Sequence, residues 1–285
     1  MSNIKEFLNL ISDNPCQDGT DLSSYNLQGA KFGKATFVYS TFKKGNLSEA
    51  NLSEVDFSKA ALTHGNFKKS RFEGVNFSNA NMQESDFEDA EFVSCDFQNT
   101  SLENCNLSNV NMKNCNLRGV NLSFSNIYSA KLEACEITFA RLAYASFKEA
   151  RLIKCPLNGI NGRGSDFSFA NLNEVDMKGA ILKHADFNSC TIKNSTLANA
   201  NFLGVELKDA ICEGLKMEEV NFEGADLTYT NFSGSDLQNA FFLEANLHGA
   251  NFSKANLKDA YFIDANLKGI VTQNANLENT GLDEK

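Results

Sequence analysis

The sequence contains few tryptophan, proline or histidine residues. It contains no tryptophan, two prolines and three histidines among 285 residues. It has no apolar run of about 18 residues, so a transmembrane helix is not expected. Its first residues lack the basic region and the apolar core of a secretion signal. These absences predict a cytoplasmic protein with no membrane segment.

What the chain does contain is a five-residue period over nearly its whole length. Counting in fives from Leu22 to Leu282 gives 53 central positions, and all but three hold Leu, Phe, Met or Ile. The exceptions are Gly162, Cys212 and Thr272. Two places before each centre the residue is usually small, and the place just before it is often Asn or Asp. This period matches neither a helix nor a plain strand, and repeats of this kind decide the fold.

The pattern resembles the pentapeptide-repeat family, whose A-(D/N)-L-x-x motif is clearest here between Ala240 and Ala265. The resemblance implies an all-β fold, a right-handed quadrilateral parallel β-helix with four pentapeptides in each coil. The 53 centres would then form about 13 coils. One large and one small inward residue in each pentapeptide would fill a narrow tube without voids. The unbroken register predicts a single β-helix domain over residues 19–285.

Residues 1–18 precede the repeats and are predicted to form a capping α-helix and a linker. Apolar residues follow the spacing of one helix face at Ile4, Phe7, Leu8 and Ile11. Asn3 is a candidate N-terminal cap for this helix. Because an open solenoid end exposes core side chains, the helix is expected to serve as a lid. A partner-binding helix is the alternative.

Most of the eight cysteines follow the repeat. Six stand at the small inward position: Cys95, Cys105, Cys115, Cys135, Cys155 and Cys190. Four of these recur every twenty residues and should stack in one column, which suggests a thiol ladder for metal or redox chemistry. However, coils about 4.8 Å apart hold Cβ atoms farther apart than the usual disulfide spacing of about 3.5–4.5 Å. Small buried hydrophobes in a reducing cytoplasm are the preferred interpretation.

A filled interior leaves function to the outward positions. Every twentieth residue falls on the same side, which defines face one (centred on Leu22), face two (Leu27), face three (Phe32) and face four (Phe37). Face one carries apolar residues where the repeat elsewhere prefers polar ones. The candidate interface comprises Phe241, Leu243, Tyr261, Ile263, Leu203 and Ile181. Outward apolar residues indicate protein contact, and with no capping segment after the last repeat they make a homodimer through the C-terminal coils one expected assembly.

A second candidate patch combines arginine with outward aromatic residues. Residues 118–163 carry seven basic residues against three acidic ones. The members of this patch are Phe124, Tyr128, Phe139, Arg141, Tyr144, Arg151, Arg163 and Phe169. Arginine and aromatic side chains are typical of binding surfaces. The alternative is that the rings stack on the outside and support the coils.

No pattern predicts catalysis. The three histidines, His64, His184 and His248, all stand at outward positions, and His64 lies six coils from His184. Phosphate-binding loops, nucleophile elbows and paired-ligand motifs are missing from the sequence. A solenoid without inserted loops also offers no deep cleft. The sequence therefore predicts no enzyme activity, no catalytic residues, no cofactor and no metal.

Two functions remain. The first is a rigid solenoid that acts as a protein–protein interaction or scaffold module, with an unknown partner. The alternative comes from the resemblance, since some family members resemble duplex DNA, bind DNA gyrase and protect it from quinolones. A net charge of −10 permits such mimicry and disfavours direct nucleic-acid binding. Against mimicry, the basic segment at 118–163 would interrupt a phosphate-like field.

Overall fold

The computed structural model describes residues 2–23 and 25–282, with side chains from residue 4 onward in those ranges. The chain divides into two compact units, unit 1 over residues 1–141 and unit 2 over residues 142–285. The single domain predicted for residues 19–285 stays a prediction, and its last three residues lie outside the described range. The predicted cap at Asn3 also lies outside the described side chains.

The chain begins with one short helix, α1 (Ser2–Asp13), as predicted. Its residues Phe7 and Ile11 are buried. The ring of Phe7 stacks on Phe37 at 5.9 Å and meets Phe32 edge-on at 5.3 Å, measured between centroids. Since Phe32 and Phe37 are repeat centres, α1 covers the inward side chains of the first coil. Among the described residues, no helix has the length and apolar character that crossing a membrane requires.

The extended parts of the repeats are short parallel strands on face three. In unit 1 they are β1 (Lys31–Gly33), β2 (Asn51–Ser53), β3 (Arg71–Glu73), β4 (Glu91–Val93), β5 (Asn111–Lys113) and β6 (Lys131–Glu133). In unit 2 they are β7 (Arg151–Ile153), β8 (Asn171–Asn173) and β9 (Thr191–Lys193). Within each unit, consecutive strands pair in register, as Leu52 does with Phe72. Within each unit, paired strands are therefore twenty residues, or one coil, apart.

Isolated parallel β-bridges between residues twenty apart join the coils on the other faces. Asp56 pairs in this way with Asn76, and the series continues to the pair of Asn256 and Asn276. The predicted parallel β-solenoid is therefore confirmed. The strands mark about 8 turns, fewer than the predicted coils. The difference arises because the described coils after β9 are joined by single bridges and contain no strand.

Each pentapeptide folds by the same local rules. The Asp56 carboxylate accepts a hydrogen bond from the N–H of Ser58 at 2.7 Å. The N–H of Ala60 donates to the carbonyl of Phe57 at 3.0 Å, which closes a four-residue turn. Lys59, the third residue of that turn, has a φ of 59°, the positive value that a type II turn requires there. Asn or Asp before the centre thus supports the turn that follows it.

The interior is filled by columns of stacked side chains. In unit 1 the ring of Phe57 stacks on Phe77 at 5.7 Å, and Phe77 stacks on Phe97 at 5.0 Å. All three rings are fully buried, and so is the small residue Ala60. Because the large and small inward residues pack without space between them, only outward side chains are available for contacts with other molecules.

The irregular centres conserve packing volume. A Cβ atom added to Gly162 would lie 2.8 Å from Leu182 Cδ2, and the neighbouring Ile160 is fully buried. Cys212 is small for a centre, but Leu215 is large where a small residue is normal, and both are buried. Such volume exchanges keep the core filled. The outward faces therefore keep the order that the repeat register sets.

Candidate interaction surface

Four apolar side chains lie together on face one of unit 2. They form the Phe241 cluster: Phe241, Leu243, Tyr261 and Ile263. Phe241 and Tyr261 bridge two consecutive coils, and their rings are parallel within 5° at a centroid distance of 5.2 Å. Their exposed fractions are 43% and 50%. Both occupy the place just before a repeat centre, so the alternation of a strand turns them outward.

The second row of the cluster is aliphatic. Leu243 is half-buried, and Ile263 is 61% exposed. The N–H of Glu244 donates to the carbonyl of Ile263 at 2.9 Å, which places the two rows on the same pair of coils. Tyr261 and Ile263 also line a surface cavity of about 300 Å³, together with Leu267. The apolar surface thus continues from the exposed rings into a concave site.

The other two predicted interface residues lie on the same face but outside the cluster. Glu223 stands between Leu203 and Leu243, because the carbonyls of Glu223 and Leu243 accept hydrogen bonds from successive coils. Ile181 precedes Phe241 by three coils, a separation of about 14 Å at the usual strand spacing. The structure therefore groups four of the six predicted residues.

Carboxylates surround the cluster. Glu223 occupies the aliphatic column one coil earlier, and Glu244 and Asp264 directly follow Leu243 and Ile263 in the sequence. Glu244 and Asp264 are exposed. In the described part of the chain, none of these three carboxylates forms an ion pair. The cluster is therefore an apolar surface with an acidic border.

The interface prediction from sequence did not include these carboxylates. A signal for Glu223 and Glu244 was present, because residues 217–253 hold six acidic residues and no lysine or arginine. The next lysine on a neighbouring face, Lys258, binds the carboxylate of Glu278 at 2.8 Å. The charge of Lys258 is thus already paired, and Lys268 on the other neighbouring face leaves the acidic residues around the cluster in excess.

The second candidate patch does not form one surface in unit 1. Its members there are Phe124, Tyr128, Phe139 and Arg141, which lie on faces one, two, four and one. The three aromatic residues are exposed. The guanidinium of Arg118, which was not a predicted member, lies 5.3 Å from the centre of the Phe139 ring. The aromatic rings of unit 1 therefore point in different directions.

Unit 2 holds the remaining members of that patch: Tyr144, Arg151, Arg163 and Phe169. Tyr144 and Arg163 are neighbours on face one, joined by a backbone hydrogen bond of 3.0 Å. The Tyr144 ring covers Gly164, where an added Cβ would lie 2.6 Å from the ring. Lys148 Nζ lies 5.6 Å from the centre of the Phe169 ring on face two. Because these rings pack against neighbouring residues on the outside of the coils, they favour the alternative in which the aromatic residues support the coils.

The cysteines within the repeats are buried. Seven of the eight free cysteines are buried, and Cys16 is exposed. Burial raises the pKa of Cys105 and that of Cys212 to about 12. A hydrogen bond with Cys115, together with burial, raises the pKa of Cys95. Within the described ranges, no three His, Cys, Asp or Glu side chains are grouped to hold a metal ion.

The histidines contact neighbouring coils on the outer surface. His64 Nδ1 lies 3.2 Å from the Glu84 carboxylate in unit 1. In unit 2, His248 Nε2 lies 3.2 Å from the Tyr229 hydroxyl, and the His184 ring lies against Gly204. His184 and His248 are on different faces of unit 2. Each histidine ring therefore contacts a different residue of a neighbouring coil.

Family models match most of the chain. A model described as "Pentapeptide repeats (9 copies)" matches residues 18–91, and one described as "Pentapeptide repeat region" matches residues 65–142. A third, "Pentapeptide repeats (8 copies)", matches residues 145–184, 185–224 and 225–262. Together these models cover the repeats from residue 18 to residue 262 except for two residues.

Several solved structures are similar to this chain. HetL, a pentapeptide repeat protein involved in heterocyst differentiation regulation in the cyanobacterium Nostoc sp., is 24% identical over 75% of this chain and 88% of its own, with a TM-score of 0.30. QnrB1, a plasmid-mediated fluoroquinolone resistance protein, is 19% identical over 68% and 88%, with a TM-score of 0.39. A pentapeptide repeat protein of the Arabidopsis thaliana thylakoid lumen is 25% identical over 37% and 67%, with a TM-score of 0.26. No curated protein matches the chain significantly.

Proposed function

Because this chain belongs to the pentapeptide-repeat family, we propose that it is a non-enzymatic interaction module that contacts a protein partner through the Phe241 cluster. The observation that carries this proposal is the parallel stack of Phe241 on Tyr261, with both rings about half exposed. Aromatic side chains of this size supply much of the binding energy at protein interfaces. Their place in the repeat is one that usually holds polar residues, so folding alone does not require them.

The outer wall of the repeats supports a binding role more than a catalytic one. The inward positions are filled with packed side chains, and the outward histidines contact neighbouring coils. Catalytic sites usually need a cleft that excludes water around converging polar groups. The Phe241 cluster offers instead a nearly flat apolar surface beside a small cavity.

Charge and thiol chemistry bear on the partner and the compartment. A net charge of −10 repels nucleic-acid phosphates, which favours a protein partner over direct binding of DNA or RNA. Eight free cysteines fit a reducing compartment, and we place the protein in the cytoplasm on that basis.

The test is a site-specific photocrosslinking experiment in the native cell. A photoreactive phenylalanine analogue replaces Ile263 in one variant and Gln273 in a matched control. Both positions directly follow a repeat centre, but Gln273 lies on face three. We expect one dominant crosslinked product at position 263, which disappears when Phe241→Ser and Tyr261→Ser are added.

Equal crosslinking at positions 263 and 273, or none at either, would contradict the proposal. Sedimentation of the purified chain distinguishes a second copy of the chain from a different protein as the partner. A dimer that the Phe241→Ser and Tyr261→Ser pair converts to a monomer would identify a second copy of the chain as the partner. Ile211→Ser is the control, because Ile211 is an exposed apolar residue at the same place in the repeat on face three.

A further inference from the structure

The Phe241 cluster and its acidic border form parallel columns on face one. The aromatic column contains Phe241 and Tyr261, and the aliphatic column two residues further on contains Leu243 and Ile263. The next residues, Glu244 and Asp264, form an acidic column on the same two coils. A molecule that lies across face one therefore meets rings, aliphatic chains and carboxylates in that order.

We propose that the partner is a basic protein segment that places apolar side chains on the Phe241 cluster and lysine or arginine side chains against Glu223, Glu244 and Asp264. This inference rests on the proposed function and specifies the chemistry of the partner. The aliphatic column lies beside carboxylates that have no ion-pair partner in the described chain. A segment that alternates apolar and basic residues satisfies both kinds of column at once.

The charge of the surroundings favours this partner over neutral or acidic ones. Residues 203–268, which include the whole cluster, carry eleven acidic residues against five lysines and no arginine, so the net charge around the cluster is negative. Such a field attracts positively charged partners, and like charges brought together at an interface are penalised. The selectivity for basic segments comes from Glu223, Glu244 and Asp264, and the affinity comes mainly from the exposed rings.

A second copy of the chain fits this surface poorly. A two-fold contact buries the same surface patch of both copies. Two Phe241 clusters and two acidic borders would then share one interface, which doubles the number of carboxylates there and adds no lysine or arginine from the patch itself. Repulsion among these carboxylates disfavours a homodimer through face one.

Labelled peptides test the inference directly. Three short peptides are compared by fluorescence anisotropy with the full chain: one alternates lysine and leucine, one glutamine and leucine, and one glutamate and leucine. We expect the lysine peptide to bind tightest, by about tenfold over the glutamine peptide at about 0.15 M NaCl. Raising the salt to about 0.5 M should reduce that advantage to about twofold, because salt screens exposed charges.

Matched variants locate the binding. Glu223→Gln with Glu244→Gln should weaken binding of the lysine peptide about fivefold and leave the glutamine peptide unchanged. Glu213→Gln is the control, since Glu213 is exposed on face three at the same place in the repeat as Glu223. Phe241→Ser with Tyr261→Ser should weaken binding of both peptides, and circular dichroism confirms that each variant is folded.

Two outcomes overturn the inference. Equal binding of the lysine and glutamine peptides, both lost in Phe241→Ser with Tyr261→Ser, would leave the interaction module in place and remove its selectivity for basic segments. Equal weakening by Glu213→Gln would show that the peptides bind the overall negative charge instead of face one. The proposed function itself fails separately, through the crosslinking at position 263 or the sedimentation of the chain.

Discussion

At the scale of single residues, the place before each centre determines how well neighbouring coils fit together. Where it holds asparagine, the side chain both accepts from its own turn and donates to the adjacent coil, as Asn256 does to the Asp236 carboxylate at 2.9 Å. Where this place holds carboxylates on consecutive coils, none of the stacked side chains can donate a hydrogen bond to the next. Asp166, Asp186 and Glu206 are stacked in this way on face two of unit 2. Burial, and then the charges of Asp166 and Glu206, raise the pKa of Asp186.

Asp186→Asn should stabilise the protein by about 0.5 kcal/mol, because it removes repulsion between half-exposed like charges. Asparagine keeps the acceptor for the N–H of Asn188, which Asp186 binds at 2.8 Å. Urea denaturation measures the change. Asp236→Asn is the control and should bring no gain, since Asp236 already accepts a hydrogen bond from Asn256. An equal gain in both variants would show that repulsion in the column is not the cause.

The same site predicts a pH dependence. The folded pKa of Asp186 is raised above its ordinary value of 3.8, so the folded state holds this proton more tightly than the unfolded state. Stability from this group therefore falls as the pH rises from the unfolded pKa through the folded pKa. The advantage of Asp186→Asn should accordingly be present at neutral pH and vanish below the unfolded pKa. Denaturation at about pH 3 and pH 7 checks this; an advantage that persists at low pH would contradict it.

Thiol burial gives a third prediction at this scale. With a disulfide reagent at about pH 8, one thiol per native chain should react rapidly, because Cys16 alone among the eight is exposed. All eight should react after unfolding in urea. Cys16→Ser should abolish the rapid phase, whereas Cys105→Ser should leave it unchanged. Rapid reaction of several thiols in the Cys16→Ser variant would show that the core opens readily.

At the scale of elements, α1 and the first coil stabilise each other through one side chain. Phe7 is buried against the inward rings of Phe32 and Phe37, whereas Leu10 on the same helix is exposed. The amphipathic spacing predicted this helix and its buried side, because an apolar stripe at helical period has to face a core. The contact with Phe32 and Phe37 could not be predicted from the sequence, because helix spacing does not say which coil residues lie beneath the helix.

Phe7→Ala should lower the free energy of unfolding by about 3–4 kcal/mol, as for other buried phenylalanines. Leu10→Ala should change it by less than about 0.5 kcal/mol. Urea denaturation followed by circular dichroism compares the two variants. Similar midpoints for both would indicate that α1 does not act as a lid.

The repeat register predicted much of the candidate surface as well. Spacing by twenty placed Phe241 next to Tyr261, and the structure shows the two rings stacked. The same spacing also places Glu223 between Leu203 and the cluster, but a search for outward apolar residues alone ignores the charges between them. The second patch stays a prediction. Its residues were chosen mainly by composition, with spacing by twenty used only for Phe124 and Tyr144, so its members lie on several faces of each unit.

At the scale of the whole molecule, the charges are mixed instead of uniformly negative. In unit 1, basic side chains pair with carboxylates of the next coil, such as Lys68 with Glu88 at 2.8 Å and Arg71 with Glu91 at 3.0 Å. Paired charges of opposite sign cancel at a distance, whereas the phosphates of DNA form an unbroken negative series. The net charge of −10 therefore does not make the surface a copy of duplex DNA.

The chain should have no effect on DNA gyrase. In a supercoiling assay at micromolar protein, with and without a quinolone, we expect neither inhibition nor protection. The charge pattern of unit 1 is the physical reason, because a gyrase surface that binds DNA would meet positive side chains at intervals along it. Clear protection from the quinolone would overturn this expectation and restore DNA mimicry as the function.

The twenty-residue bridge spacing also determines what insertions and duplications would do to the Phe241 cluster. A duplication of twenty residues between β9 and the cluster would add a coil and leave the cluster on face one. A duplication of five residues would preserve every inward and outward position and yet turn the cluster onto face two. Relatives that differ by one pentapeptide could thus present the same side chains in directions a quarter turn apart. In such a fold, length changes can redirect a contact surface without altering any of its residues.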